Sequence, residues 1–126
     1  MAIDEQFIKQ FFSDLTAQAR NAENTIEIED AKKLIEKEKP VVVDVRPDAM
    51  YAQGHIPGAK SIPLPKLSQS LEQLPKDKDS KILTVCNLGN SSILGMIFLR
   101  AIGYNNVKSI NNGTQGWIGK GLPVEK

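Results

Sequence analysis

The residue with the strongest claim to chemistry is a cysteine. Cys86 is the single cysteine of the chain, and it stands where the apolar run Ile82–Val85 gives way to Asn87, Leu88, Gly89, Asn90, Ser91 and Ser92, followed by a second apolar stretch. That order reads as strand, loop, helix, with the thiol at the strand end and facing a helix start. A helix start offers unpaired backbone N–H groups and the positive end of the macrodipole. Both favour the thiolate, which is the nucleophilic form. Gly89 permits a backbone in which successive N–H groups converge on the sulfur. Ser91 and Ser92 are placed to cap the helix and to donate hydroxyl hydrogen bonds into the same cradle. A free cysteine is often just a small buried hydrophobe. A purely structural strand residue, however, would not be followed at once by so many polar and glycine positions. The loop reads as an anion-holding nest around a nucleophilic sulfur.

Other groups are less free to react. His55 lies in Gly54-His-Ile-Pro-Gly58, where two glycines and a proline fix a tight turn. Its ring is expected to bond the turn backbone rather than act as a base for Cys86. Asp44 and Arg46 alternate with Val43 and Val45, so both point to one face near a strand end. They read as an ion pair that holds the following turn and supports the Cys86 loop from behind. One cysteine allows no internal disulfide, no Cys-x-x-Cys redox pair and no cysteine-rich zinc site.

These groups need a scaffold, and the chain of 126 residues is about one domain long. Ile3, Phe7, Ile8, Phe11, Phe12, Leu15 and Ala19 recur at helical spacing and predict an amphipathic helix over residues 3–20. Its apolar face implies packing on its own domain; a docking or dimer helix is the other reading. Residues 25–28 read as a strand, and Glu29-Asp30 open a helix that ends at Lys39 before Pro40. Residues 41–45 form a β-branched run of the kind buried on both faces. Residues 46–58 read as turn, 59–62 as a short strand and 64–74 as a short helix between prolines. Strand 82–85, helix 92–102, strand 107–110 and a last helix over 114–120 follow. Such alternation predicts an α/β fold with right-handed crossovers and a mainly parallel sheet covered on both faces. Ligands in open sheets of this kind sit beyond the carboxyl ends of the strands, where Cys86 stands.

Sixteen basic against 15 acidic residues leave a formal charge of +1. Nucleic-acid and anionic-membrane surfaces need a basic excess gathered on one face, so neither partner is expected. No apolar run nears the roughly 20 residues that span a bilayer. The acidic start, Met1-Ala-Ile-Asp-Glu-Gln6, lacks the basic region of an export signal, so a cytoplasmic location is expected.

Taken together, the segments resemble the rhodanese-like (sulfurtransferase) domain family over roughly residues 25–125. Val42-Val-Asp-Val-Arg46 and Gly54-His-Ile-Pro-Gly-Ala59 look like its first two signature segments. Cys86-Asn-Leu-Gly-Asn-Ser-Ser92 looks like its active-site loop, and Gly113-Thr-Gln-Gly-Trp117 with Gly121-Leu-Pro-Val124 like its C-terminal signature. The resemblance implies a five-stranded parallel sheet between helices over residues 25–126, with residues 1–24 as a helical extension. It implies a catalytic Cys86 that takes a sulfane sulfur from a donor such as thiosulfate, becomes a persulfide, and passes the sulfur to cyanide or a thiol. Asn87 to Ser92 would bind that sulfur, mainly through backbone N–H groups. Neither metal nor organic cofactor is implied.

Two departures stand out. Many members carry arginine where this chain has Ser91, so the loop lacks the cation that would attract an anionic donor. The phenylalanine-rich helix lies outside the family pattern. It suits an alternative reading, a persulfide carrier or redox-sensing module that docks on a protein donor or acceptor. A phosphatase on this fold needs an arginine at the loop's end to grip phosphate oxygens, and Ser92 stands there instead.

Overall fold

A computed structural model describes residues 4–126, so Ile3 of the first apolar stripe lies outside the described residues. Helix α1 spans Glu5–Ala19 and starts where the Asp4 carboxylate accepts the Phe7 N–H at 2.8 Å. After it come β1 (Thr25–Ile26), α2 (Ile28–Glu38), β2 (Val41–Asp44), α3 (Asp48–Gln53) and β3 (Lys60–Ser61). Two 3-10 turns, Leu64–Gln69 and Leu71–Gln73, lead to β4 (Ile82–Val85), α4 (Ser91–Ala101), β5 (Val107–Ile110) and α5 (Gly113–Gly119).

The 5 strands form one parallel sheet in the order β1-β5-β4-β2-β3. Alternation within each strand divides the core between the two faces. Val43, Ile82 and Val107 face α4, together with Ile93, Met96 and Leu99. Val42, Leu83 and Ile110 face the other way, against Ile28, Ala31 and Trp117 of α2 and α5. Asp44 lies opposite Val85, and Thr84 opposite Ser109. This register gathers the carboxyl ends of β2, β4 and β5 at one rim, with Cys86 on it. No helix of the described residues is long and apolar enough to cross a membrane.

Several local expectations need correction. The first strand stops at Ile26, and α2 begins at Ile28 instead of Glu29. Ile28 is buried one helical turn before Ala31, so it serves the helix face and is lost to the strand. The segment 46–58 holds α3, started at Pro47 with Asp48 in its first turn. The prolines around 64–74 yield 3-10 turns and no α-helix, because they remove N–H donors and crowd the preceding turn.

The largest correction concerns α1. It buries none of its residues, and Phe7, Ile8, Phe11 and Phe12 are all about half exposed. Only its last turn meets the domain, where Ala19 packs against the α4 side of the core.

A close backbone approach joins the Cys86 loop to α5. The Thr114 and Gln115 N–H groups donate to the carbonyls of Cys86 and Asn87 at 2.8 and 3.0 Å. Gly113, at φ +54°, is wedged beneath, and a Cβ there would lie 2.3 Å from the Cys86 oxygen. Backbone leaves no room to move aside. Gly113→Ala is therefore expected to lower unfolding free energy by about 2–4 kcal/mol in urea titration, combining left-handed strain with overpacking. Gly119→Ala, whose Cβ meets nothing within 4 Å, should leave stability within about 0.5 kcal/mol of the parent or raise it.

Candidate active site

Cys86 packs with the α4 side of the core and is buried, at 5% exposed. The Gly89 N–H donates to Sγ at 3.0 Å. Gly89 has φ +106°, and a Cβ would press to 3.2 Å from the Asn112 nitrogen, so glycine is needed to bring this N–H around. The thiol donates to Ser92 Oγ at 3.4 Å, and Ser92 Oγ shares a 2.7 Å hydrogen bond with Ser109 Oγ. The Thr84 hydroxyl in turn donates to the Ser92 carbonyl at 2.8 Å, locking that residue to β4. Hydroxyl hydrogens rotate, so the Ser92–Ser109 pair can accept from a thiol or donate to a thiolate without moving a heavy atom.

A cavity of about 230 Å³ has Cys86 among its lining residues. Arg46, Pro47 and Met50 form one wall, and Asn87, Leu88, Asn90 and Ser91 the other. Leu88 is largely exposed at the rim, while Gly89 and Ser92 lie buried beneath. The serines do not cap α4 as the sequence suggests. Asn90 occupies the cap position without a side-chain capping bond, and Ser91 and Ser92 already lie inside the helix. That frees the Ser92 hydroxyl for the sulfur and leaves Ser91 on the cavity wall. Asn87 Oδ1 and Thr114 Oγ1, at the seam between loop and α5, are buried without hydrogen-bond partners.

Asp44 and Arg46 form a buried ion pair. Arg46 Nη2 lies 2.7 Å from Asp44 Oδ2, and Nε lies 2.9 Å from Oδ1. The same Nη2 donates to the Gly54 carbonyl at 2.8 Å, tying the end of β2 to the turn before His55. His55 Nδ1 is engaged with the Tyr51 carbonyl at 2.9 Å, its ring stacks on Tyr51 at 3.6 Å, and its backbone pairs with Glu125. Burial raises the Tyr51 phenol above its ordinary range, aided by the Asp44 and Glu125 carboxylates. The phenol therefore stays protonated and donates to the Ala59 carbonyl at 2.6 Å. His55 and Tyr51 thus secure the turn behind the cavity wall.

Two site residues escape a reading of the sequence. Ser109 reaches the sulfur's hydrogen-bond chain from β5; in Val107-Lys-Ser-Ile110 it follows another polar residue and gives no local sign of that place. Arg20, just past α1, donates from Nη2 to Asn90 Oδ1 at 2.7 Å, across 70 residues of sequence. A larger cavity of about 390 Å³ lies at the amino ends of β4 and β5, lined by Lys33, Lys37, Lys81 and Lys108, with no cysteine, serine or histidine among its lining residues.

The rhodanese-like domain model matches residues 27–120. The chain belongs to the rhodanese-like domain family. A sulfurtransferase of Allochromatium vinosum is 31% identical over 94 residues, which cover 75% of this chain and 86% of that one. The thiosulfate sulfurtransferase GlpE of Pseudomonas putida is 35% identical over 89 residues, 71% of this chain and 79% of its own. Two longer yeast relatives, named adenylyltransferase and sulfurtransferase, are spanned only to 20% of their length. A rhodanese-related protein of Thermoplasma volcanium superposes with a TM-score of 0.72 at 29% identity, covering 81% of this chain and 97% of that one. The expected five-stranded parallel sheet of this family is the sheet found, and sulfur transfer is the chemistry its relatives are named for.

In this rhodanese-like domain the Asp44–Arg46 pair is a support with a measurable cost of removal. Arg46→Ala leaves a buried carboxylate without its cation and should cost about 3–5 kcal/mol of stability in chemical denaturation. An Asp44→Asn, Arg46→Met double variant should recover part of that loss, because neither uncompensated charge then remains buried.

Proposed function

We propose that this domain is a sulfurtransferase that carries a sulfane sulfur on Cys86 from a thiosulfate-type donor to a thiophilic acceptor such as cyanide or a thiol. The observation that supports it most is the sulfur itself, held by the Gly89 N–H and the Ser92–Ser109 hydroxyl pair, on a residue that lines the cavity. In the first step the Cys86 thiolate attacks the outer sulfur of thiosulfate. A Cys86 S–S bond forms, the donor's S–S bond breaks, and sulfite leaves with the electron pair. In the second step cyanide or a thiolate attacks the terminal persulfide sulfur. Its bond to that sulfur forms, and the Cys86 thiolate departs with its electron pair. No net oxidant is needed.

The loop suits both steps. Backbone N–H groups from Asn87 to Ser91 and the Ser92 hydroxyl offer hydrogen bonds to an anionic sulfur without adding a competing nucleophile. A free thiol of this kind fits a reducing compartment, the cytoplasm. A second reading, a persulfide carrier loaded by a protein partner, draws support from the exposed Phe7, Phe11 and Phe12 of α1. An enzyme turns over repeatedly with a soluble donor, whereas a carrier loads once.

Steady-state thiosulfate:cyanide kinetics test the reading. Cys86→Ser should abolish transfer, since a serine hydroxyl is a poor sulfur nucleophile at neutral pH; retained turnover would overturn the proposal. Ser91→Arg should raise kcat/KM for thiosulfate about tenfold, because a charged hydrogen bond contributes about 1.5–3 kcal/mol. The gain should fall mainly in KM and shrink with added salt. An unchanged KM would show that Ser91 does not meet the donor.

A further inference from the structure

We propose that Arg20, from the segment that follows α1, supplies the cation that the Cys86 loop lacks and selects anionic sulfur donors at the cavity mouth. This rests on the sulfurtransferase reading of the site. No residue from Asn87 to Ser92 is cationic. Arg46 lines the cavity, but Asp44 neutralises it and the Gly54 carbonyl takes a further donor. Arg20 differs on both counts. Its Nη2 donates to Asn90 Oδ1 at 2.7 Å, and Asn90 is itself part of the cavity wall. Arg20 itself lines a second cavity, of about 490 Å³, with Glu27 and Lys108, and Asn90 joins its guanidinium to the wall of the Cys86 cavity.

Among the described residues, Arg20 has no carboxylate within ion-pair distance, and its side chain is exposed. A guanidinium has five N–H donors, so the bond to Asn90 leaves the others for an incoming anion. The bond also restrains the charge beside the mouth, which lessens the side-chain entropy lost when a donor is gripped. Because Ala19 is seated on the core, the end of α1 has a defined place, and Arg20 inherits it. The phenylalanine-rich extension, which the family pattern does not include, thus delivers a charge that the loop sequence lacks.

The test compares alkylation of Cys86 by iodoacetate, an anion, and iodoacetamide, its neutral analogue, in the full-length protein, Arg20→Gln and Arg20→Lys. A change in thiolate population or sulfur exposure moves both rates together; a charge at the mouth moves the iodoacetate rate alone. In Arg20→Gln the iodoacetate rate should fall about three- to fivefold, the range of an exposed charge interaction, with the iodoacetamide rate unchanged. Arg20→Lys should keep most of the iodoacetate rate, and high salt should erase the difference between variants. Equal changes with both reagents would reduce Arg20 to a prop for Asn90 and overturn the proposal. So would no change with either. Alkylation needs no sulfur transfer, so this outcome is independent of whether thiosulfate turns over. Where it does, Arg20→Gln should raise KM for thiosulfate by the same factor with kcat preserved.

Discussion

The site depends on two carbonyl groups being held down. The Cys86 and Asn87 carbonyls accept hydrogen bonds from the first N–H groups of α5, and the described peptide bonds are trans. In a trans peptide the N–H points opposite to the C=O. Pinning these carbonyls toward α5 therefore turns the Asn87 and Leu88 N–H groups away from it and fixes the start of the loop. Gly89 then curls the chain back so that its own N–H meets Sγ. The approach is possible only because Gly113 has no Cβ to intrude. A structural demand on a glycine some distance along the chain thus decides how the loop presents its donors.

Around that constraint the sheet acts as a jig. Parallel register brings Thr84, Cys86 and Ser109 to one rim, and Ser92 from α4 completes the cluster. Burial makes these hydroxyls matter. In water each would exchange partners freely, but in a closed core a hydroxyl chain is held in place and an unmade bond is costly. Arg46 has a parallel role on the opposite wall, where its charge is consumed by Asp44 and the turn at Gly54. The buried charges of this wall are therefore paired and structural.

Much of this was legible in the residues. A β-branched run marked β2 and an apolar run marked β4, and Cys86 at a strand end before a polar, glycine-bearing loop marked the site. What escaped was set by tertiary proximity. Ser109 matters because β5 lies beside β4, an adjacency that a sequence order of alternating elements does not contain. Arg20 meets Asn90 only because α1 is anchored by its last turn. The α1 stripe looked like a core-facing helix because periodicity records which side is apolar and says nothing of what covers it. The first strand was overextended because Ile28 suits a strand by type but is buried by a helix. Ser91 and Ser92 looked like caps, yet Asn90 took that position.

The central claim is that Cys86 takes and gives up a single sulfur. Intact-mass spectrometry of the protein after incubation with thiosulfate, before and after addition of cyanide, tests it most directly. The account predicts a mass gain of one sulfur atom, located on Cys86 by peptide mapping, that cyanide removes with release of thiocyanate. No adduct, an adduct elsewhere, or one that cyanide leaves in place would contradict it.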